Sequence, residues 1–381
     1  MIHALMPSIH DRQTGGSIYN RQILSYLAKS RQVELHIDSA EDHGRWPGGL
    51  WLVDSLCLET GASHLANRAG ASGILIAHYL ESIDPQRRGT ARTAEESAML
   101  QHYSAVVTTS DFARRALMAG GFQGPVETIV PGLSADFRQA VRRPVHSPKM
   151  TILTVASVVA NKGLAEMLCA LEKLSDLDWS WELIGDVNLH PAFADDFRDR
   201  VRRSRVSDRI AIRGALSSSD VIARYDGCDI FALPSQFETC SMATMEAMAR
   251  GLPVAAFQVG GLPDLLPKVS REALTEPGNA AGWVEALRRL IVDRDERQRL
   301  GAANRSASRR FPSWEECGSA LESFIVRFDG GENQATSKHT QSADAAQQVK
   351  DGEDRTDPAG HVAFGNEGPE IANDERETRG L

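Results

Sequence analysis

The chain has 381 residues, 42% of them hydrophobic and 24% charged, and a formal net charge of −9. This is the composition of a soluble α/β protein of two domains, or of one domain with a tail, and it excludes a membrane-spanning or wholly disordered chain. The acidic balance gives nucleic acid no electrostatic footing, and five scattered cysteines (Cys57, Cys169, Cys228, Cys240 and Cys317) without a C-x-x-C pair read as reduced thiols.

In chain order, "IHALMPS" reads as the first strand, followed by the polar loop "IHDRQTGGS" and the helix "IYNRQILSYLAKS". "GLWLVDSL", "ASGILIAHYL" and "AVVTTS" are further strands, and "VETIVPGL" closes a first half. The charged, proline-bearing stretch "RQAVRRPVHSPKM" reads as a linker. The pattern then restarts with the strand "MTILTVASVV" and the amphipathic helix "NKGLAEMLCALEKL". Strands "WSWELIGDV" and "RIAIRGAL" come next, then the helix "DVIARYDGC", for which Ser217 to Ser219 supply a cap. "DIFALPS" is an almost continuous apolar run, as expected of a strand covered on both faces, and "LPVAAFQ" is the strand after the next helix.

This alternation predicts an α/β architecture of two doubly wound, parallel-sheet halves facing across a cleft. The expected domains are residues 1–141 and 150–330, joined by a linker at 142–149. Residues 331–381 hold eleven Asp and Glu against five Lys and Arg and little that is apolar, and read as a disordered acidic tail. The opening "MIHALMPSIHDRQ" turns polar too early for a signal peptide, and no apolar run reaches spanning length. The expected location is cytoplasmic, with membrane association peripheral at most.

In "FETCSMATMEAMARGLPV", Glu238 stands at the strand-to-helix turn and Glu246 lies eight residues on, within the helix. Eight residues of helix span at most roughly 12 Å, whereas paired glycosidase carboxylates sit roughly 5 to 9.5 Å apart. The two glutamates therefore suit opposite ends of one elongated ligand, with an anion at the helix start between them. The competing reading is one surface glutamate and one helix-stabilising glutamate. Gly15 and Gly16 in "QTGGS", Lys162 after "ASVVAN", and Gly260 and Gly261 in "VGGLPDLL" also fall at predicted strand ends, where ligands gather in such sheets. A lone Gly-Gly or one exposed lysine is equally compatible with an ordinary loop.

Taken together, Glu238-x7-Glu246, "EAMARGLPVAAF", "GGLPD", Lys162–Gly163, "LIGD" and "TGGS" resemble the retaining GT-B glycosyltransferases of family 4, over about residues 1 to 330. The resemblance is specific in the second half and looser in the first. It implies a nucleotide diphosphate sugar as co-substrate, with no metal and no other cofactor. It further implies that Glu246 holds the donor ribose and Glu238 the sugar hydroxyls. Lys162 would bind the diphosphate with the amides of Gly15, Gly16 and the turn Thr239, Cys240, Ser241 and Met242. His78, in "IAHYLES", would lie near sugar and acceptor, or else be a strand-end histidine satisfied by backbone.

The sequence departs from the family pattern at four places. Ser157 stands where many members carry an arginine, and Asn161 where a second basic residue is common. Ser241 replaces a frequent glycine and Asp264 a glutamate. The Asp-x-Asp of Asp293 and Asp295 lies in an amphipathic helical stretch and reads as solvated surface. The implied reaction is retaining transfer of a hexose to an acceptor hydroxyl, the compact first half favouring a small soluble acceptor. A sugar-nucleotide epimerase and a non-catalytic sugar-nucleotide binder share the same nucleotide grip.

Overall fold

A computed structural model describes residues 1–38, 47–67, 69–139 and 149–328. Met1–Ile325 form one compact unit, and the chain from Val326 onward forms a second, of which only 326–328 are described. All but the last residue of the expected linker at 142–149, and the whole of the expected tail at 331–381, lie outside the described residues.

The first unit holds two parallel sheets. One contains β1 (Ile2–Pro7), β2 (Val33–Asp38), β3 (Gly49–Asp54), β4 (Ala71–Ala77), β5 (Ala105–Thr108) and β6 (Val126–Thr128), in the order β2-β1-β3-β4-β5-β6. The other contains β7 (Met150–Val155), β8 (Trp179–Ile184), β9 (Ile210–Gly214), β10 (Ile230–Leu233) and β11 (Val254–Ala256), in the order β11-β10-β7-β8-β9. Every pairing is parallel, so helical crossovers cover the faces and inner strands such as β1, β5 and β10 are buried along their whole length.

The strands expected from apolar runs are present. One further strand, β2, has no such run: "VELHID" is half exposed at the sheet edge and interrupts its apolar residues with Glu34 and His36. An edge strand with one neighbour needs less burial, and so carries a weaker sequence signal.

The two cores interlock. Leu133 and Phe137 pack into the second core, with Trp179, Trp181 and Trp283. Phe237, from the second half, packs into the first core and meets the rings of Tyr79 at 5.9 Å and Phe112 at 6.0 Å. Helical residues 314–325 return to the first helix, Gly15–Leu27: Glu315 accepts from Lys29 at 2.6 Å, and Trp314 lies edge-on to Tyr19 at 6.0 Å. No helix among the described residues is long and apolar enough to cross a membrane.

Candidate functional site

The C-terminal ends of β1, β3, β4 and β7 and the loops after β8 and β10 converge on a cavity of about 400 Å³. It is lined by Gly15, Gly16, His78, Ser157, Lys162, Glu238, Cys240, Ser241, Met242 and Glu246. Among the residues expected at the site, Thr239 does not line it. Thr239 is buried, and its carbonyl lies against Gly261.

Two helix N-termini open into this cavity. The first helix starts at Gly15, and Thr14 caps it by accepting from the Ser17 amide at 3.2 Å. The second, Met242–Ala249, is capped by Ser241, whose Oγ accepts from the Thr244 amide at 3.3 Å. The serine that departs from the family pattern is therefore the helix cap. A Cβ on Gly15 would touch the Met242 sulfur at 3.8 Å, so the two N-termini face each other closely. Unpaired first-turn amides from both helices present partial positive charge to the same space.

Lys162 donates to Glu238 Oε1 at 2.7 Å. The sequence reading assigned these residues to separate parts of a ligand; the fold joins them as an ion pair with Glu238 buried. Two glycines hold that geometry. Gly163 has φ +64°, and a Cβ there would lie 1.8 Å from the Pro234 carbonyl oxygen. Gly260 has φ +51°, its Cβ would lie 2.0 Å from the Glu238 carbonyl oxygen, and the following amide of Gly261 donates to that oxygen at 2.8 Å. The "GG" after β11 is thus a backbone clamp on Glu238, and only glycine fits there.

Glu246 sits one helical turn inside the second N-terminus, with the Tyr225 hydroxyl 3.0 Å from its Oε2. Burial pushes the Glu246 carboxyl up to about 7, against the lowering effect of the Tyr225 hydrogen bond. Cys240, which lines the cavity, has its thiol pushed up to about 12 by burial and by Glu238.

His78 belongs to a buried relay that the sequence reading did not identify. Asp54, at the end of β3, accepts from the Leu56 amide at 2.7 Å and from Asn20 Nδ2 at 2.5 Å. Asn20 thereby turns its Oδ1 toward His78 Nε2, 2.8 Å away, which makes Nε2 the protonated ring nitrogen. Burial lowers the His78 pKa, with Asp54 acting in the opposite sense. Asp54 and Asn20 are both buried polar residues. The available signal was the aspartate closing an apolar strand at its C-terminal end, where this fold places ligands.

At the cavity edge Arg12, from the loop after β1, donates to Asp186 Oδ2 at 2.9 Å, in the loop after β8. Burial of Asp186 acts to raise its pKa, but the bonds from Arg12 and the Asn188 amide outweigh it and hold the carboxyl low. Asp293 caps the helix Arg294–Ser308 and, like Asp295, is exposed away from the cavity, as a solvated pair should be.

Two facing parallel sheets with a polar cleft at their strand ends define the GT-B class of fold. Within it, residues 137–307 match the protein-family model described as glycosyl transferases group 1. A D-inositol 3-phosphate glycosyltransferase of Xylanimonas cellulosilytica is 28% identical over 202 residues, 51% of this chain and 48% of the relative. The chain spans about half the length of the curated relatives it matches. Among solved structures, a sucrose-phosphate synthase from Thermosynechococcus elongatus superposes with TM-score 0.72 at 18% identity, covering 87% of this chain and 100% of the other. Anabaena Alr3699/HepE in complex with UDP-glucose gives 0.69 at 16% identity, covering 85% and 99%. These likenesses establish the fold.

Proposed function

We propose that the chain is a retaining glycosyltransferase that moves a hexose from a nucleotide diphosphate sugar to an acceptor hydroxyl. The carrying observation is a single cavity that gathers the Lys162–Glu238 pair, two facing helix N-termini and Glu246, which Tyr225 holds from behind. Glu246 accepts from the ribose hydroxyls. The diphosphate lies between the amides of the two N-termini and shares Lys162 with Glu238, which turns its free oxygen to the sugar. The bond from the anomeric carbon to the diphosphate oxygen breaks, and one to the acceptor oxygen forms on the same face. The acceptor proton passes to the departing phosphate oxygen.

In this reading the protein contributes position and preorganised charge, and the charge at the diphosphate comes from Lys162 and amides, without a metal or other cofactor. His78, held in one tautomer by Asn20 and Asp54, borders sugar and acceptor. Leu56 and Tyr79, both partly open to solvent at the cavity mouth, shape the acceptor side. The relative named for D-inositol 3-phosphate and the HepE complex with UDP-glucose support a small, soluble, hydroxylated acceptor and a UDP-sugar as first choices. The chain is expected to work in the cytoplasm, and the division into domains 1–141 and 150–330 remains part of the reading.

A thermal-shift screen of UDP-, GDP- and ADP-sugars, followed by a transfer assay with the stabilising donor, tests the proposal. Stabilisation by one donor, and an α-linked product from an α-linked donor, are expected. Product of inverted configuration would overturn the retaining course, conversion of the donor without acceptor would favour an epimerase, and binding without turnover a sugar-nucleotide binder.

A further inference from the structure

We propose that His3, Glu34 and His36 form a binding site for one divalent transition-metal ion of the zinc class, which pins the edge strand β2 to β1. The site follows from pairing register. In the parallel β1–β2 ladder His3 stands beside Glu34, and His36 follows two residues on, so Glu34 and His36 share one face of β2. His3 Nδ1 lies 3.3 Å from His36 Nε2 and 3.2 Å from Glu34 Oε2, and His36 Nε2 lies 3.9 Å from Glu34 Oε1.

These separations match a metal-binding face. A tetrahedral ion with bonds of about 2.05 Å has ligand atoms about 3.3 Å apart. Two of the three separations already have that value. The third is measured to the other carboxylate oxygen, Oε1, and a turn of the Glu34 carboxylate, whose side chain is 53% exposed, brings a single oxygen to both imidazoles. A water molecule would complete the tetrahedron as the fourth ligand.

Metal-free, the same atoms satisfy one another poorly. His3 Nδ1 faces an imidazole nitrogen and a carboxylate oxygen at once, and has one proton at most to offer them. A cation satisfies all three donors together.

Both imidazoles are also held in place beforehand. His3 stacks on the buried indole of Trp51 at 4.8 Å, and His36 lies against the same ring at 4.9 Å. Two ligands fixed by packing on one rigid surface lose little freedom when an ion arrives. His3 lies four residues before Pro7, which borders the substrate cavity, or roughly 13 Å along the strand. The ion is therefore structural and stands apart from the proposed transfer chemistry.

The test uses the untagged full chain, stripped with chelator and titrated with zinc by calorimetry and with cobalt by visible absorption. The expected result is one ion per chain, intense tetrahedral cobalt bands, and a higher Tm with zinc. His36→Gln and Glu34→Gln, both on the half-exposed edge strand, should each weaken zinc at least about tenfold and abolish the rise in Tm, with unchanged circular dichroism. If His36→Gln fails to fold, Glu34→Gln alone decides. No stoichiometric binding by the wild-type chain, six-coordinate cobalt bands, or unchanged affinity in the folded variants overturns the proposal.

Discussion

Glu246 carries the clearest pH signature in the molecule. Its folded-state value is raised to about 7, so charging this carboxylate opposes the folded, empty protein as pH climbs from the ordinary carboxylate range toward 7. A donor whose ribose hydroxyls bind the carboxylate must displace that proton. Donor affinity should therefore rise about tenfold between pH 6 and pH 8 and level off above. In Glu246→Gln it should be weaker and flat with pH, as isothermal titration at several pH values will read. Lys162 is a different case, because its partner is already present. Lys162→Ala removes the cation of the diphosphate and strands the buried Glu238 carboxylate. We expect turnover lower by at least about tenfold, together with a lower Tm from the unpaired charge. The Lys162–Glu238 bond itself was hidden in the sequence: 76 residues separate the partners, and only the docking of the β7 and β10 loops brings them together.

At the scale of elements, the helix Met242–Ala249 and the glycines beside it form one device. Ser241→Ala should cost about 1 kcal/mol of stability in chemical denaturation, the usual price of a helix cap. Gly260→Ala is harsher, because it adds a Cβ 2.0 Å from a carbonyl oxygen at φ +51°. A loss of about 2–4 kcal/mol is expected, with impaired donor binding because the clamped residue is Glu238. Apolar runs made the inner strands and their order of appearance legible, since strands buried on both faces must be apolar throughout. The edge strand β2 was not legible for the converse reason. Likewise Thr239 reads as part of a ligand-binding turn, yet the chain rotates it beneath Gly261, and no pattern in the sequence distinguishes the two faces of an irregular turn.

At the scale of the whole molecule, the contacts that set the cleft run between the sheets. Arg12 and Asp186 join the loops after β1 and β8, and Phe237 plugs the opposite core. Because the folded Asp186 pKa lies below its ordinary 3.8, the ion pair contributes above that range and is lost as pH falls through the lowered value. Arg12 is 39% exposed, so solvent screens the pair and the effect is modest, at most about 1 kcal/mol. Arg12→Ala should lower Tm slightly at pH 7, and the difference from wild type should shrink as pH falls below 3.8 and on through the lowered value.

Local chemistry alone determined the two parallel-sheet halves, the glycine loops at strand ends, and the carboxylates flanking a helix start. Those properties depend on burial periodicity and backbone freedom, which neighbouring residues settle among themselves. Only tertiary structure decided which groups pair. Asp54 with Asn20 and His78, Lys162 with Glu238, Tyr225 with Glu246, and His3 with Glu34 and His36 all join residues from different elements. A hydrogen bond or ion pair is a matter of a few ångströms in space, and strand order and sheet docking set those distances, not separation along the chain.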